Sequence, residues 1–319
     1  MEIFQQLDLD ALVKRALEED LGQGDITTAA TVRAGQQGRA RITVKEPRMI
    51  FCGGILLERV FKLANADAKI TSLAVEGASL VKGDIVANIE GNLAGLLIGE
   101  RTALNFIQLM SGIATATHQY VEAVKDTRAK IVDTRKTHPG LRAVEKYAVR
   151  CGGGSNHRFG LDGGVLIKDN HIAAAGSVRA AIEGARKITP HTIRIEIECE
   201  TLVQVEQARD AGADIIMLDN MNLESMARAR QIVGDKLILE ASGNVNLDTV
   251  RAIAETGVDL ISVGAITHSA RAIDIALDVD AGAPKKEKTK ISLKVKRDTK
   301  TKKRISSKVK SARRAARNR

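Results

Sequence analysis

The second half of the chain carries a regular alternation of apolar runs and amphipathic segments. Runs rich in Ile, Val and Leu recur every 21 to 23 residues, at 193–199, 214–218, 236–241 and 259–263. The segments between them place apolar side chains at helical spacing, as in Val203, Val205 and Ala208. Strands that alternate with helices predict a parallel sheet with right-handed crossovers. Earlier strands at 130–133 and 164–167 extend the repeat, so an α/β barrel is favoured over an open doubly wound sheet.

The first half of the chain has a different pattern. Residues 7–19 place apolar side chains on one face of an amphipathic helix. Short alternating or apolar runs follow, separated by glycine-containing turns, at 38–44, 68–73 and 85–89. These runs predict a small α+β domain with an antiparallel sheet. A long helical pattern over 99–124 then connects this domain to the barrel, and we expect the boundary near Gly112.

Composition and charge divide the chain into an aliphatic body and a basic tail. Hydrophobic residues make up 44% of the 319 residues, but aromatic residues make up 2% and Trp is absent. The net charge of +10 is concentrated at the end, since residues 284–319 hold 17 Lys or Arg and two acids, which leaves residues 1–283 at −5. A tail of this composition cannot bury enough apolar surface to fold alone, so we expect disorder. Nucleic acid is expected to bind only through this tail, if it binds at all.

The cysteines and the N-terminus indicate the compartment. Cys52, Cys151 and Cys199 are odd in number, far apart and without Cys-x-x-Cys spacing, so they indicate neither a disulfide framework nor a zinc site. The N-terminus has no basic region, and charged residues such as Glu100 and Arg101 interrupt the most apolar stretch. We therefore expect a cytoplasmic protein without an export signal or a membrane span.

Polar residues cluster at the predicted C-terminal ends of the barrel strands, where a barrel keeps its active site. They are Asp133, Arg135, Lys136, Lys168, Glu198, Asp219, Ser242 and Gly264. Any one of them alone is explained as a solvated loop residue or a helix cap. Their occurrence after successive strands favours a functional site over chance.

The basic residues of this set indicate a site for anions. Arg135, Lys136, His157 and Arg158 stand beside glycine-rich backbone at 151–160. Guanidinium forks bind carboxylates in bidentate fashion, and glycine lets backbone N–H groups approach phosphate oxygens. The glycine run alone is weak evidence, because it matches neither the P-loop nor the Gly-x-Gly-x-x-Gly pattern.

Two loops and two carboxylates complete the candidate chemistry. The segments 241–244 and 263–268 put small residues between a strand and a helix, as in barrel phosphate sites, although tight turn packing is an alternative. Glu198 and Asp219 suit sugar hydroxyls and Mg²⁺, with an ion pair in the barrel interior as the alternative. No activated nucleophile is evident, so the chemistry indicated is group transfer by positioning and charge stabilisation.

At these motifs, from about residue 7 to residue 278, the sequence resembles the quinolinate phosphoribosyltransferases. The resemblance rests on the segments Glu19-Asp-Leu-Gly-x-Gly-Asp-Ile-Thr-Thr, Gly99-Glu-Arg-Thr-Ala-Leu-Asn, Asp133-Thr-Arg-Lys-Thr, Asn156-His-Arg-Phe-Gly-Leu, Leu166-Ile-Lys-Asp-Asn-His-Ile, Met217-Leu-Asp-Asn-Met and Glu240-Ala-Ser-Gly. It implies an N-terminal α/β sandwich domain over 1–112 and an incomplete, about seven-stranded α/β barrel over 113–283. The last helix is expected to return to the N-terminal domain, and the tail 284–319 has no counterpart in the family.

The resemblance also implies an activity and a set of roles. The activity is phosphoribosyl transfer from phosphoribosyl pyrophosphate to quinolinate with decarboxylation, in a homodimer or higher oligomer that uses Mg²⁺. The quinolinate carboxylates would be bound by Arg101 of the partner subunit together with Arg135, His157, Arg158 and Lys168. Lys136 and Lys168 would meet the pyrophosphate, and Glu198 and Asp219 would meet the ribose hydroxyls and Mg²⁺; these four form the expected catalytic set. The 5′-phosphate would be bound by Ser242, Gly243, Gly264 and His268.

The sequence leaves other functions open. The protein could be a related phosphoribosyltransferase that uses nicotinate or another pyridine acid. It could also be a metal-transport-associated homologue of the same fold. The number of cations in the expected quinolinate site favours a dicarboxylate, since a monoacid needs fewer. A different alternative is a nucleic-acid-binding protein built on a barrel, with the tail as its binding segment. The family pattern is broken at Gly163-Gly164 and at His138, neither of which is expected to contact a ligand.

Overall fold

The computed structural model describes residues 8–281. The chain divides into the units 1–282 and 283–319. The predictions for the tail 284–319 therefore lie outside the described residues. Within residues 8–281, no helix combines the length and the apolar character needed to cross a membrane.

The first half of the described chain is α+β, as predicted. Its helices and strands are α1 Leu9–Leu21, α2 Ile26–Thr31, β1 Gln37–Val44, β2 Arg48–Ile50, α3 Gly54–Leu63, β3 Lys69–Leu73, β4 Ser79–Val81, β5 Ile85–Asn92 and α4 Leu93–Ala123. The strands β1, β5 and β3 are antiparallel neighbours in one sheet, and β2 pairs with β4 in a second one. The predicted strands at 38–44, 68–73 and 85–89 are therefore confirmed.

The second half of the described chain is a βα repeat. Its helices and strands are β6 Lys130–Val132, α5 Arg142–Cys151, β7 Val165–Ile167, α6 Asp169–Ala175, α7 Val178–Ile188, β8 Ile195–Cys199, α8 Leu202–Asp210, β9 Ile215–Asp219, α9 Leu223–Val233, β10 Ile238–Ser242, α10 Val250–Glu255, β11 Leu260–Ser262, α11 Ala265–His268 and β12 Ile275–Asp280. The sheet order is β6-β11-β10-β9-β8-β7, with parallel pairing throughout. The predicted mixed α/β fold is confirmed.

This parallel sheet has six strands in the described part of the chain, against the expected number of about seven. The two edge strands are β6 and β7, so the sheet is open between them. In the gap, the segment after α5 contributes one isolated bridge, from Ser155 to Val132. The residues that follow Ser155 are mostly polar or glycine and lack the alternating apolar positions of a strand. The segment therefore pairs at one point only.

The last described element corrects a prediction. A helix was expected to return to the N-terminal domain, but the returning segment is the strand β12, which pairs antiparallel with β1 from Val44↔Ile275 to Arg39↔Asp280. The sequence Ile275-Ala-Leu-Asp-Val-Asp explains the difference. Its larger apolar side chains occur at every second position, which is the period of a strand and not of a helix.

The helix α4 runs continuously through the predicted domain boundary. It spans 31 residues and packs against elements of both halves, including α3, β2, α5 and β6. Gly112, the expected boundary, lies inside it, and a Cβ there would stand 2.2 Å from the backbone oxygen of Arg271. Residue 112 is therefore a close-packing position that joins the segment before β12 to the helix.

Candidate active site

The predicted site residues lie at one edge of the parallel sheet. Asp133 follows β6, Lys168 follows β7, and Glu198 is next to the last residue of β8. Asp219 and Ser242 are the last residues of β9 and β10 and are paired in register. Because neighbouring parallel strands end at the same edge of a sheet, these residues lie along one edge, which is the placement expected from the sequence.

A buried ion pair holds the segment that carries His157. Asp133 is fully buried and accepts hydrogen bonds from the His157 backbone N–H at 2.8 Å and from Asn156 Nδ2 at 2.6 Å. The Lys146 ammonium donates to Asp133 and to the His157 carbonyl at 3.0 Å. Burial is the main cause that raises the pKa of Asp133 and lowers that of Lys146, and each group's charge opposes the shift of the other. The pair thus orders the backbone on both sides of residue 157.

The imidazole of His157 has a defined orientation. Its Nδ1 accepts the backbone N–H of Arg158 at 2.7 Å, so in the neutral ring Nε2 carries the proton and donates to Glu196 Oε2 at 3.0 Å. Glu240 Oε1 lies 3.9 Å from the same nitrogen. Burial lowers the pKa of His157, but the hydrogen bond to Glu196 and the charge of Glu240 outweigh burial and raise it.

Two buried carboxyl groups lie beneath this histidine. Burial, followed by the neighbouring charge of Glu196, raises the pKa of Glu240 to about 8. Within the described chain, Glu196 Oε1 and Glu240 Oε1 are buried without a hydrogen-bond donor. A proton retained on Glu240 at neutral pH supplies the missing donor between two groups that would otherwise both be acceptors.

A second part of the site contains Lys168, Glu198 and two arginines. The Lys168 ammonium forms an ion pair with the Glu198 carboxylate. This is the interior ion pair that the sequence left open as an alternative for Glu198. Arg158 Nη1 donates to the Gly164 carbonyl at 2.9 Å, and burial followed by the charge of Arg135 lowers its pKa. The two guanidinium groups are thus close enough to repel each other.

Two of the predicted phosphate-binding residues, Gly264 and His268, lie close to Lys136. A Cβ on Gly264 would stand 3.1 Å from both Lys136 Cδ and His268 Nε2. The Thr267 hydroxyl donates to the Lys136 carbonyl at 2.8 Å and so connects this loop to the end of β6.

Gly243 is held against a neighbouring loop. Its φ is +93°, and a Cβ there would stand 2.1 Å from Asn220 Oδ1. Asn220 in turn donates from Nδ2 to Asp219 Oδ2 at 3.1 Å. The loops after β9 and β10 therefore pack so closely that only glycine fits at residue 243.

Arg101 is not joined to the other site residues. It is an exposed residue of α4, and no hydrogen bond or ion pair links it to Arg135, His157, Arg158 or Lys168 in residues 8–281. Two cavities, of about 520 and 500 Å³, also lie elsewhere, one on the antiparallel sheet and one between α1, α4 and residues 139–141. The predicted site residues line neither cavity. The candidate site is therefore defined by its converging charged groups and not by the volume of a cavity.

Sequence reasoning did not find Lys146, Glu196 and Glu240 as site residues. Lys146 lies in α5 among the buried positions Val144, Ala148 and Val149, so a charged residue inside an apolar stripe was the available signal. In the strand Ile195-Glu-Ile-Glu-Cys, the alternation put Glu196 on the same face as Glu198. A buried carboxylate cannot be distinguished from a solvated one until the partner strands are known.

Comparison with known proteins gives the same family for both halves of the chain. The family models described as quinolinate phosphoribosyl transferase, N-terminal domain and C-terminal domain, match residues 25–111 and 113–278. A protein of Bacillus subtilis named as a probable carboxylating nicotinate-nucleotide pyrophosphorylase is 42% identical over 276 residues, which are 86% of this chain and 95% of that protein. A Mycobacterium leprae protein named as a carboxylating nicotinate-nucleotide pyrophosphorylase is 43% identical over 84% of this chain and 95% of its own length. The solved structure of the nicotinate-nucleotide pyrophosphorylase from Ehrlichia chaffeensis has a TM-score of 0.81 and 42% identity, covering 86% of this chain and 100% of that one.

Proposed function

The chain belongs to the quinolinate phosphoribosyl transferase family, and from that premise we propose how its strand-end residues perform the reaction. The protein is an enzyme of NAD biosynthesis that transfers the phosphoribosyl group of phosphoribosyl pyrophosphate to quinolinate. The products are nicotinate mononucleotide, pyrophosphate and carbon dioxide. A pyridine monoacid as substrate is not favoured, because the curated relatives are named as carboxylating enzymes.

The observation that carries the proposal is the convergence of cations at one sheet edge. Arg135, His157, Arg158 and Lys168 form the quinolinate site, and Arg101 of a partner subunit completes it. Burial, followed by repulsion from Arg135, lowers the pKa of Arg158, and a bound dicarboxylate would remove that repulsion, which supports this assignment. The Arg101 side chain is exposed and forms no ion pair in residues 8–281. This exposure supports a role for Arg101 across a homodimer interface.

The other substrate occupies the adjoining strand ends. Lys136 and Lys168 neutralise the departing pyrophosphate, and Glu198 and Asp219 accept hydrogen bonds from the ribose hydroxyls. The 5′-phosphate lies against Ser242, Gly243, Gly264 and His268. Support comes from the close approach of Lys136, Gly264 and His268. One anion could contact the Gly264 backbone amide, the His268 ring and the Lys136 ammonium together.

The carboxylates of Glu198 and Asp219 fit a magnesium ion. Glu198 and Asp219 lie at the C-terminal ends of the neighbouring strands β8 and β9. Carboxylate oxygens are among the ligands that Mg²⁺ takes in proteins. When bound there, Mg²⁺ supplies charge neutralisation for the pyrophosphate group. Lys168 forms an ion pair with Glu198, so this carboxylate would bind both the ammonium and the metal ion.

The enzyme's own residues act mainly by holding geometry and charge. The cationic site orients the pyridine nitrogen toward the anomeric carbon, and the nitrogen displaces pyrophosphate. The 2-carboxylate then departs as carbon dioxide, and the electron pair of the broken bond stays on C2, where the adjacent pyridinium nitrogen stabilises it. A proton from solvent then binds C2 and completes nicotinate mononucleotide. His157 keeps its Nε2 proton directed at Glu196, so its position does not change as the substrate charge changes.

Residence in the cytoplasm is also part of the proposal. The free thiols of Cys52, Cys151 and Cys199 support a reducing compartment.

Equilibrium binding tests the site assignment directly. Quinolinate affinity should fall by about a hundredfold in Arg135→Ala, since a bidentate charged contact is lost. The exposed Arg179, paired only with Glu183 of its own helix, is the matched control, and Arg179→Ala should bind like wild type. Unchanged affinity in a folded Arg135→Ala protein would remove this site from the account.

A further inference from the structure

Two of the cysteines that are far apart in the sequence meet in the folded chain beside a carboxylate. The ligand atoms of Cys52, Glu76 and Cys151 all lie within 4.8 Å of one another, and Cys151 Sγ is 3.7 Å from Glu76 Oε2. Cys52 precedes α3, Glu76 is in the turn between β3 and β4, and Cys151 ends α5. The cluster therefore joins three segments that no short sequence motif connects.

Each group is held in place by the surrounding chain. The Glu76 carboxylate accepts backbone N–H groups from Gly53, at 3.1 and 3.2 Å, and from Gly54 at 2.7 Å. The Cys52 backbone N–H donates to the Ser111 hydroxyl at 3.0 Å, and that hydroxyl donates to the Cys52 carbonyl at 3.1 Å. Hydrogen bonds of this kind orient the ligands of metal sites.

The spacing matches one tetrahedral metal ion. Zinc binds thiolate sulfur at about 2.3 Å, so two sulfur ligands of one ion stand about 3.8 Å apart, and a sulfur and an oxygen about 3.5 Å apart. The Cys151 thiol donates to Glu76 Oε2 at 3.7 Å, within a few tenths of an ångström of that value, and the separations of both groups from Cys52 Sγ are at most 4.8 Å. Two thiolates and one carboxylate suit zinc and not Mg²⁺, because thiolate is a soft ligand.

The burial of the cluster points the same way. Cys52 is buried, and Glu76 and Cys151 are half-buried. A dication bound among them would offset the charge of the carboxylate and of the two thiolates that bind it.

We propose that Cys52, Glu76 and Cys151 form a site for one thiophilic divalent cation, Zn²⁺, with solvent water as the fourth ligand. Binding breaks two S–H bonds, forms two Zn–S bonds and releases two protons to solvent. Cys151 is followed by the glycines 152–154 and then by Asn156 and His157, so the ion anchors the start of the segment that carries the substrate-binding histidine. The site is separate from the proposed Mg²⁺ site at Glu198 and Asp219.

Cobalt serves as the spectroscopic probe for the test. Co²⁺ is added to the full-length protein, reduced with a non-chelating phosphine and freed of metal. The proposal expects one Co²⁺ per chain, with a thiolate charge-transfer band and the intense visible bands of tetrahedral cobalt. Zn²⁺ should abolish these bands at one equivalent and raise the unfolding temperature, and Mg²⁺ should do neither.

Single substitutions assign the ligands. Cys151→Ser and Glu76→Gln should each weaken Zn²⁺ binding by about ten- to a hundredfold and remove or shift the charge-transfer band. Cys199→Ser is the matched control, since Cys199 is a buried cysteine outside the cluster, and it should bind like wild type. Circular dichroism identifies any variant that does not fold. If one ligand variant fails to fold, the result for Cys151→Ser decides the assignment, because Cys151 is less buried than Cys52.

Three results would overturn the proposal. One is wild-type protein that takes up less than stoichiometric Co²⁺ and Zn²⁺. Another is binding that persists in Cys151→Ser, which would move the metal to other residues such as His157 and Glu196. The third is a Cys52–Cys151 disulfide in protein exposed to peroxide, combined with no metal binding after reduction, which would make the pair a redox couple.

Discussion

The ammonium group of Lys146 forms an ion pair with the carboxylate of Asp133, and both side chains are buried. The same carboxylate receives the His157 N–H, and the same ammonium donates to the His157 carbonyl. Residues of α5 and the end of β6 therefore fix the backbone of His157, the histidine that we propose binds quinolinate. If that proposal holds, stability and catalysis depend on one pair of charges.

Removal of one charge of that pair should be costly. Lys146→Met leaves the Asp133 carboxylate buried and unpaired, which should lower the free energy of unfolding by about 3–5 kcal/mol. Urea unfolding followed by circular dichroism measures it. Lys14→Met is the control, because Lys14 and Glu18 form an exposed pair, and it should change stability by about 0–1 kcal/mol. Equal effects of the two substitutions would show that the buried pair has no special role.

The buried carboxyl group of Glu240 should give stability a defined pH dependence. The pKa of Glu240 is about 8 in the folded chain and near 4.5 when unfolded, so between these values the native state binds a proton that the unfolded state has lost. The contribution is fully present below about pH 4.5 and is lost as pH rises to about 8. The pKa of His157 is also raised in the folded chain, so its contribution to stability is likewise lost as pH rises. The free energy of unfolding should therefore fall from pH 5 to about pH 8.

Glu240→Gln separates this effect from other titrations. Glutamine has the shape of a protonated glutamate and does not titrate, so the variant should lose most of the slope and be more stable than wild type at about pH 8. The exposed Glu183 provides the control Glu183→Gln, which should keep the wild-type slope. A slope that is the same in Glu240→Gln and wild type would contradict the protonated state assigned to Glu240.

The loop after β10, which we propose binds the 5′-phosphate, should not tolerate a side chain at residue 243. Gly243→Ala places a Cβ at a positive φ and 2.1 Å from Asn220 Oδ1, which should cost about 1–3 kcal/mol and raise the KM for phosphoribosyl pyrophosphate. Gly184→Ala is the matched control, since Gly184 lies in α7 with nothing within 4 Å of the added Cβ. That control should be neutral or stabilising by up to about 1 kcal/mol. An unaltered KM in Gly243→Ala would exclude this loop from the substrate site.

Mixed dimers test whether Arg101 acts in the partner's site. Arg101→Ala and Lys168→Ala should each be almost inactive alone. If Arg101 acts across the interface, unfolding and refolding an equal mixture should restore about a quarter of wild-type activity, because half the dimers are mixed and each has one intact site. Arg101→Ala mixed with Arg101→Ala carrying a tag is the control and should stay inactive. No recovery in the first mixture would place Arg101 in the site of its own subunit.

The sequence predicted the parts of the fold in which a local pattern repeats. The β8, β9, β10 and β11 strands were found within two residues of each end, because each is a buried apolar run between amphipathic helices. The strand β12 was missed, since its pattern is short and its partner β1 is more than 200 residues away in the chain. A pairing partner so distant leaves no local signal.

The candidate site was predictable only where its residues follow strands. Glu198, Asp219 and Ser242 were found because strand ends in a parallel sheet converge. The link between Lys146 and Asp133 and the meeting of Cys52 with Cys151 depend on how α5 packs in three dimensions. For such pairs, sequence spacing carries no information, and the absence of a Cys-x-x-Cys motif was no guide to which thiols are neighbours.

The most direct test of the account is the product stoichiometry of the full-length enzyme. Quinolinate labelled in its 2-carboxylate is incubated with phosphoribosyl pyrophosphate and Mg²⁺, and nicotinate mononucleotide and labelled carbon dioxide are measured together. Nicotinate replaces quinolinate in a parallel reaction. The account predicts equal amounts of both products from quinolinate and no nucleotide from nicotinate. Nucleotide formed from nicotinate, or from quinolinate without release of the label, would contradict it.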